Sequence, residues 1–406
     1  MSKSDGPQLI LKEGREKSLL RGHPWVFSGA VHALRGTAAM GETVRVCRLD
    51  GGFLAWAAYN PTSQICARVW DFDEATAIDE AFFARRIEAA LARRRALLTQ
   101  ADQRACRVVN AESDGLPGLS VDRFGDQLVL QATAAGAARF REPIARALAQ
   151  ATGVSAIYER SDGEIMELEG LPPQRGPLLG AEPSAPIAIE ERGLRFDVDV
   201  RSGHKTGFYF DQRDNRALVR YHAAGRDVLD AFCYSGGFAI AAAAGGARSV
   251  QAIDSSEDAL ALARRNAQAN ASSSSSSSPP AIEFARADVF EWLRRARDAR
   301  RSFDLIVLDP PKLAKSARAV DRAARAYKDI NLLAFKLLRP SGMLLTFSCS
   351  GAISVDLFQK IVASAAADAR VDAAFTHRLG AAADHPVALA FPEGEYLKGL
   401  VCVVRA

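Results

Sequence analysis

From its N-terminus the chain alternates short apolar runs with turn residues. LILK, WVFSGAV, ETVRVCRL, GFLAWAAYN and QICARVW follow one another over the first 70 or so residues, broken by Gly, Pro and Asn. Runs of that length, so punctuated, predict a small, mostly β barrel or sheet. Trp25 and Phe27 share one strand face there, where core packing is the expected role and base stacking the alternative. From about residue 75 the pattern lengthens into a basic helix over 79–99 and then CRVVNAESDGLPGLSVDRFGDQLVLQATAA, whose two turn signals predict hairpins. A helix over 139–151 and a further hairpin, AIYERSDGEIMELEG, complete a strand, strand, helix, strand, strand order, which makes a compact α+β module. The Pro-rich LPPQRGPLLGAEPSAP then reads as a linker or a crossing loop.

From about residue 192 the pattern changes again. After a hairpin, GLRFDVDVRSGHKTGFYFDQRDNR, come RDVLDAF, RSVQAID, IEFARAD, FDLIVLDPP and GMLLTFSCS, each a short apolar run ending in a polar residue or turn. Ala- and Leu-rich helical stretches lie between them, so the alternation predicts a parallel, doubly wound sheet whose ligands bind beyond the carboxyl ends of the strands. The serine run Ser272–Ser278, followed by Pro279 and Pro280, reads as a mobile surface loop between the second helix and the third strand. The expected fold class is multidomain: a small β-rich barrel (1–74), a central α+β domain (75–190) and a C-terminal α/β Rossmann-like domain (191–406).

The residues that end these runs are the informative ones. The first run ends VLDAFCYSGGFAIAAA, with Asp230, Ser235, Gly236 and Gly237 ahead of a small-residue helix. The G-x-G-x-x-G spacing that lets backbone approach a pyrophosphate is absent, which disfavours a nicotinamide enzyme and suits a ligand without phosphates such as S-adenosyl-L-methionine. Asp254, eighteen residues after Gly236, can accept both hydrogen bonds of a ribose diol, and Asp288 is placed to meet an adenine amino group. Each aspartate alone reads first as a helix N-cap or turn former, but three at successive strand ends point to a nucleoside site. In LIVLDPPKLAKS, Asp309 and the two prolines after it fix an extended turn that can hold a polar group against a flat base.

Composition narrows this picture little. The net charge of +4 is mild, although basic residues gather at 84–98, 293–301 and 312–328; each such run reads first as a solvated helix face, and several together permit a nucleic-acid partner. No run approaches the roughly 20 apolar residues needed to cross a bilayer, and MSKSDGPQ lacks the apolar core of a secretion signal, so a cytoplasmic protein without a membrane partner is expected. The six cysteines carry no C-x-x-C or Cys/His spacing and are expected to be reduced thiols without a metal.

One of them, Cys349, ends the fifth run at the same edge as the four aspartates. A cysteine there can fill a strand end as a small hydrophobe, or it can attack. Carbon 5 of a pyrimidine is too weak a nucleophile to take a methyl group from a sulfonium, but a thiolate added at carbon 6 turns it into an enamine. A base must later remove the carbon-5 proton, and Asp309 is the nearest candidate, while Lys312 could help to lower the thiol pKa.

Taken together, LKEGREKSLLRGHPWVFSGAV, VNAESDGLPGLSVDRFGD, HKTGFYFDQRDNR, the stretch from LDAFCYSGG to RRNAQAN, DLIVLDPPKLAKS and LLTFSCSG span nearly the whole chain in order. They resemble the bacterial 23S ribosomal RNA large subunit methyltransferase I family, S-adenosylmethionine-dependent RNA cytosine-5 methyltransferases. The resemblance implies an N-terminal PUA RNA-binding domain, a Rossmann-like catalytic domain, a homodimer and 23S ribosomal RNA as partner. It makes Cys349 the nucleophile, and it assigns Asp230, Phe232, Ser235, Gly236, Asp254, Ser255, Asp288 and Asp309 to the cofactor site. It further implies that Phe210, Gln212 and Arg213 cover the cofactor from the preceding hairpin. Two rival readings remain open: a methyltransferase acting on an RNA nitrogen, since DPPK is similar to turns that hold amino groups, and a non-catalytic RNA-binding factor.

Overall fold

The computed structural model describes residues 6–183, 186–271, 281–314 and 316–405; the serine run read above as a mobile loop lies outside the described residues. The chain forms two compact units. One comprises the residues up to Ile189 with Val198–Phe210 and Ala383–Gly394; the other comprises Glu190–Asp197, Asp211–Ala382 and the residues from Glu395.

The first unit holds two sheets. Six strands, β1 (Gln8–Leu11), β2 (Trp25–Phe27), β3 (Val31–Arg35), β4 (Thr43–Cys47), β5 (Phe53–Tyr59) and β6 (Ile65–Asp71), pair in the order β2-β6-β5-β4-β1-β3, with the short helix α1 (Lys17–Leu20) between β1 and β2. Val44, Val46, Leu54, Ala55, Ala57, Cys66 and Val69 fill its core. Contrary to expectation, Trp25 and Phe27 are not both core residues: Phe27 is 49 % exposed. Trp25 is half-buried, its ring edge-on to Phe391 at 4.7 Å, because three-residue β2 lies at the rim of the sheet.

The basic stretch forms α2 (Glu80–Leu97), started by Asp79, whose carboxylate accepts the Phe82 N–H at 2.8 Å. It is followed by β7 (Ala105–Asn110), β8 (Leu119–Phe124), β9 (Gln127–Ala132), α3 (Ala135–Arg139), α4 (Arg141–Thr152), β10 (Ala156–Ser161), α5 (Ile165–Glu169) and β11 (Gln174–Leu179), with sheet order β11-β10-β9-β8-β7. The two hairpins expected around ESDGLPGLSVDRFGD are β7–β8 and β8–β9, both antiparallel. Two expectations fail. AIYERSDGEIMELEG is a strand and then a helix, because Met166 is buried and Gly170, at φ +64°, closes the helix after a single turn. The antiparallel partner of β10 comes instead from the supposed linker, and Pro177 is accommodated because β11 is an edge strand.

A small hairpin, β12 (Ile187–Glu191) and β13 (Leu194–Val198), turns at Arg192 and Gly193, both at positive φ. It is shorter and earlier than the hairpin read from GLRFDVDVRSGHKTGFYFDQRDNR. The second half of that stretch instead runs into α6 (Arg213–His222), whose Arg213, Arg216 and Val219 are buried at helical spacing.

The second unit then alternates β14 (Asp227–Ala231), α7 (Gly237–Ala244), β15 (Ser249–Asp254), α8 (Glu257–Ala271), β16 (Ile282–Arg286), α9 (Val289–Asp298), β17 (Phe303–Leu308), α10 (Val320–Leu337), β18 (Leu338–Ser348), α11 (Val355–Ala369), β19 (Ala373–Leu379) and β20 (Lys398–Val404). The sheet order is β16-β15-β14-β17-β18-β20-β19. The first five strands in that order are parallel, as the run pattern predicts, and β20 and β19 add antiparallel at the far edge. Leu305, Ile306, Val307 and Leu308 are all fully buried, since helices cover both faces of a parallel sheet and leave no polar side. Among the described residues no helix is long and apolar enough to cross a membrane.

Candidate active site

Parallel pairing brings five strand ends to one edge. Asp230 is opposite Val307, Ala231 opposite Leu308, and Leu308 opposite Thr346, while Asp254 is opposite Arg286. Asp288, Asp254, Asp230, Asp309 and Cys349 therefore follow one another along the carboxyl edge in the order of their strands.

The turn after β14 is the most constrained part of this edge. Phe232, Tyr234 and Gly236 all have left-handed backbones, at φ 67°, 48° and 83°, and each non-glycine residue held so costs on the order of 1–2 kcal/mol. The surroundings hold them: Cys233 N–H donates to Ile253 O at 3.0 Å, Gly236 N–H to Cys233 O at 2.8 Å, and Asn266 to Ser235 O at 3.2 Å. A Cβ on Gly236 would come within 3.1 Å of Ala263, so glycine is required there twice over.

Asp230 is fully buried at the foot of this turn. Its Oδ2 accepts the Ala239 N–H at 2.9 Å, whereas Oδ1 has no hydrogen-bond partner among the described residues. Burial first, and then the nearby Asp309 and Asp254 carboxylates, push its pKa up to about 8. A buried acceptor left open in this way suits a ligand carrying a cationic or hydrogen-bonding group.

Asp254 accepts the Ser256 N–H on Oδ1 and the Tyr234 N–H on Oδ2, each at 2.9 Å, and Ser255 beside it is exposed. Asp288 caps α9, accepting the Glu291 N–H at 3.0 Å. The turn-forming and capping roles weighed against a binding role are thus present at both positions.

Cys349 is half-buried, whereas Cys47, Cys66, Cys106, Cys233 and Cys402 are buried. Burial raises the Cys66 thiol to about 11 and the Cys402 thiol to about 12, which leaves both inert. The two serines around Cys349 are anchored from α10. Ser348 Oγ donates to the Tyr327 phenol oxygen at 3.0 Å, the phenol lies 3.1 Å from Ser350 Oγ, and Ser350 Oγ accepts the Ala314 N–H from the segment after Asp309. Tyr327 is itself buried, which raises its pKa.

A residue that the sequence pattern does not single out stands next to it. Lys398 opens β20, is 4 % exposed, and donates from Nζ to Ser350 O at 2.9 Å and Tyr396 O at 2.8 Å. Its only mark in the sequence is a lysine inside the otherwise apolar YLKGLVCVV. Lys312, the cation considered from the sequence, is exposed.

The remaining candidates precede α6 or open it. Phe210 belongs to the first unit and packs against Phe124 and Phe208, with ring centroids 5.2 and 5.3 Å away. Gln212 and Arg213 belong to the second unit and are buried: Gln212 Oε1 accepts from Asn215 at 2.6 Å, and Arg213 Nε lies 3.8 Å from Glu191, which Arg216 grips with two bonds of 2.7 Å. An edge with a carboxyl poised to titrate near neutrality, an accessible thiol and a buried ammonium can carry out nucleophilic addition coupled to proton transfer.

The profile of a family described as S-adenosylmethionine-dependent methyltransferase matches residues 134–391, and that of a PUA-like domain matches residues 9–72. Among curated proteins, the chain is 51 % identical to the ribosomal RNA large subunit methyltransferase I of Shewanella amazonensis, covering 98 % of this chain and 99 % of that one. It is 48 % identical to the protein of the same name from Klebsiella pneumoniae over the full length of both. Among solved structures, a methyltransferase complexed with SAH superposes with a TM-score of 0.84 over 98 % of this chain and 100 % of the other at 21 % identity, a likeness of fold.

Proposed function

This chain belongs to the ribosomal RNA large subunit methyltransferase I family of S-adenosylmethionine-dependent methyltransferases, and from that premise we propose that it methylates carbon 5 of a cytosine in 23S ribosomal RNA through a covalent adduct on Cys349. The observation that carries this reading is the half-buried Cys349 at the carboxyl edge, one strand from Asp309, while every other cysteine is buried.

The donor set fits S-adenosylmethionine: a buried carboxyl oxygen on Asp230 without a protein partner among the described residues, a glycine turn without pyrophosphate spacing, and carboxylates on the two following strands. Asp230 with Phe232, Ser235 and Gly236 would hold the amino-acid end, Asp254 and Ser255 the ribose, and Asp288 the adenine, with Gln212 and Arg213 as the cover and Asp309 on the side of the target base. When bound, the cofactor supplies an electrophilic methyl group on a positively charged sulfur.

The chain's own residues do the rest. Cys349 Sγ bonds to carbon 6 of the base, and the displaced π electrons make carbon 5 nucleophilic. Once carbon 5 carries the methyl group, Asp309 removes its proton; the freed electron pair restores the carbon 5–carbon 6 double bond and expels Cys349 as a thiolate. Residues 1–74 act as the RNA-binding PUA domain, 75–190 as the central domain and 191–406 as the catalytic domain of a cytoplasmic homodimer.

Mass-spectrometric mapping of 23S ribosomal RNA from cells lacking the gene tests the reading. One 5-methylcytidine should disappear and return with the wild-type gene; an unchanged methylation map rejects the assignment.

A further inference from the structure

Lys398 is a buried cation held by neutral groups. Its register partner across the sheet is Ser348, the residue immediately before Cys349. Both acceptors of its ammonium, the carbonyls of Ser350 and Tyr396, are uncharged, and among the described residues no carboxylate lies within ion-pair distance of it. Charge buried among neutral dipoles is poorly compensated, so such groups are kept where an opposite charge forms beside them. One of the two carbonyls belongs to the residue right after Cys349, so the ammonium is fastened to the very turn that carries the thiol.

We propose that Lys398 is a positioning residue whose ammonium acts as the counter-ion of the Cys349 thiolate, raising the fraction of nucleophile present before RNA arrives. The inference rests on Cys349 being the nucleophile. Other ionisable groups on the surrounding elements do not replace it. The Tyr327 phenol from α10 is kept neutral by burial; Lys312, beyond the end of β17, and Glu395, ahead of β20, are exposed and screened by solvent; Asp309 carries the wrong sign. Burial lowers the Lys398 pKa and Cys349 is the foremost group that raises it, while the same thiol raises that of Tyr327.

The test is the pH profile of iodoacetamide labelling at Cys349 in the full-length chain, followed by mass spectrometry of the Cys349 peptide. In wild type the midpoint should lie below the ordinary thiol value of about 8.5. In Lys398→Met it should rise by about one pH unit or more, cutting labelling at neutral pH about tenfold, and Lys398→Arg should restore most of the wild-type profile. The pH profile of kcat should move in parallel. A wild-type midpoint at or above about 8.5 overturns the proposal whether or not the variants fold, and so do superimposable profiles for wild type and Lys398→Met. Failure of the nucleophile reading is seen separately, as methyl transfer by Cys349→Ala.

Discussion

The Asp254 carboxylate accepts the backbone N–H of Tyr234 at 2.9 Å, so the end of β15 holds a residue of the preceding turn that sits at φ 48°. The other oxygen is engaged by Ser256 N–H. Both bonds need an acceptor, and an asparagine offers only one oxygen. Asp254→Asn should therefore set an NH₂ group against an N–H, costing about 1–3 kcal/mol. Isothermal titration should show S-adenosylmethionine affinity falling roughly tenfold or more, as follows from that cost; an unchanged affinity would mean that the turn is held by its other contacts alone.

Cys349→Ala should leave cofactor affinity near wild type and reduce methyl transfer by roughly 10³-fold or more, as expected on removing a covalent nucleophile. RNA carrying 5-fluorocytidine, which has no proton to surrender at carbon 5, should trap wild type as a complex stable to denaturation and should fail to trap the variant. Methyl transfer surviving at near wild-type rate would point to a nitrogen acceptor.

Asp230 makes the ligand-free protein sensitive to pH. Its pKa is about 8 in the folded chain against 3.8 when exposed, so the folded state binds the extra proton between those values. The resulting stability is fully present below 3.8 and is lost as pH rises through about 8. Asp230→Asn keeps an acceptor for Ala239 and has nothing to ionise. Each tenfold change in proton affinity is worth about 1.4 kcal/mol. Between urea titrations at pH 5 and at pH 8, the variant should therefore gain several kcal/mol on wild type. Identical pH dependences in the two proteins would contradict the buried-acid assignment.

In the first unit, Arg68 spans two sheets' worth of chain. Its guanidinium lies 2.6 Å from Glu169 and 2.9 Å from Glu112, and all three side chains are nearly buried. Arg68→Ala leaves two carboxylates uncompensated and should destabilise the unit by about 3–5 kcal/mol. Glu169→Gln keeps one acceptor oxygen, for Ser63, and sets an NH₂ against the Asn60 amide, but it leaves Arg68 paired with Glu112 and should cost less. Fluorescence of Trp25, Trp56 and Trp70 during urea unfolding reports the difference; equal losses for the two variants would show that charge plays no part.

The sequence by itself determined the parallel sheet and its functional edge. Strands buried on both faces must be continuous apolar runs, and runs separated by helices must point the same way, so Asp230, Asp254, Asp288, Asp309 and Cys349 had to share one side. That argument uses only local periodicity and the handedness of crossovers. Tertiary packing decided what no local pattern carries. Pro177 reads as a linker residue until β10 offers it an edge, and IMELEG reads as a strand until Met166 is buried as a helical turn. Above all, Tyr327 and Lys398 reach the Cys349 turn from α10 and β20, 21 and 48 residues from the serines they bind. Buried polar groups are satisfied by whatever the fold brings within about 3 Å, so the groups that anchor the turn carrying the thiol were set by tertiary packing rather than by adjacent residues.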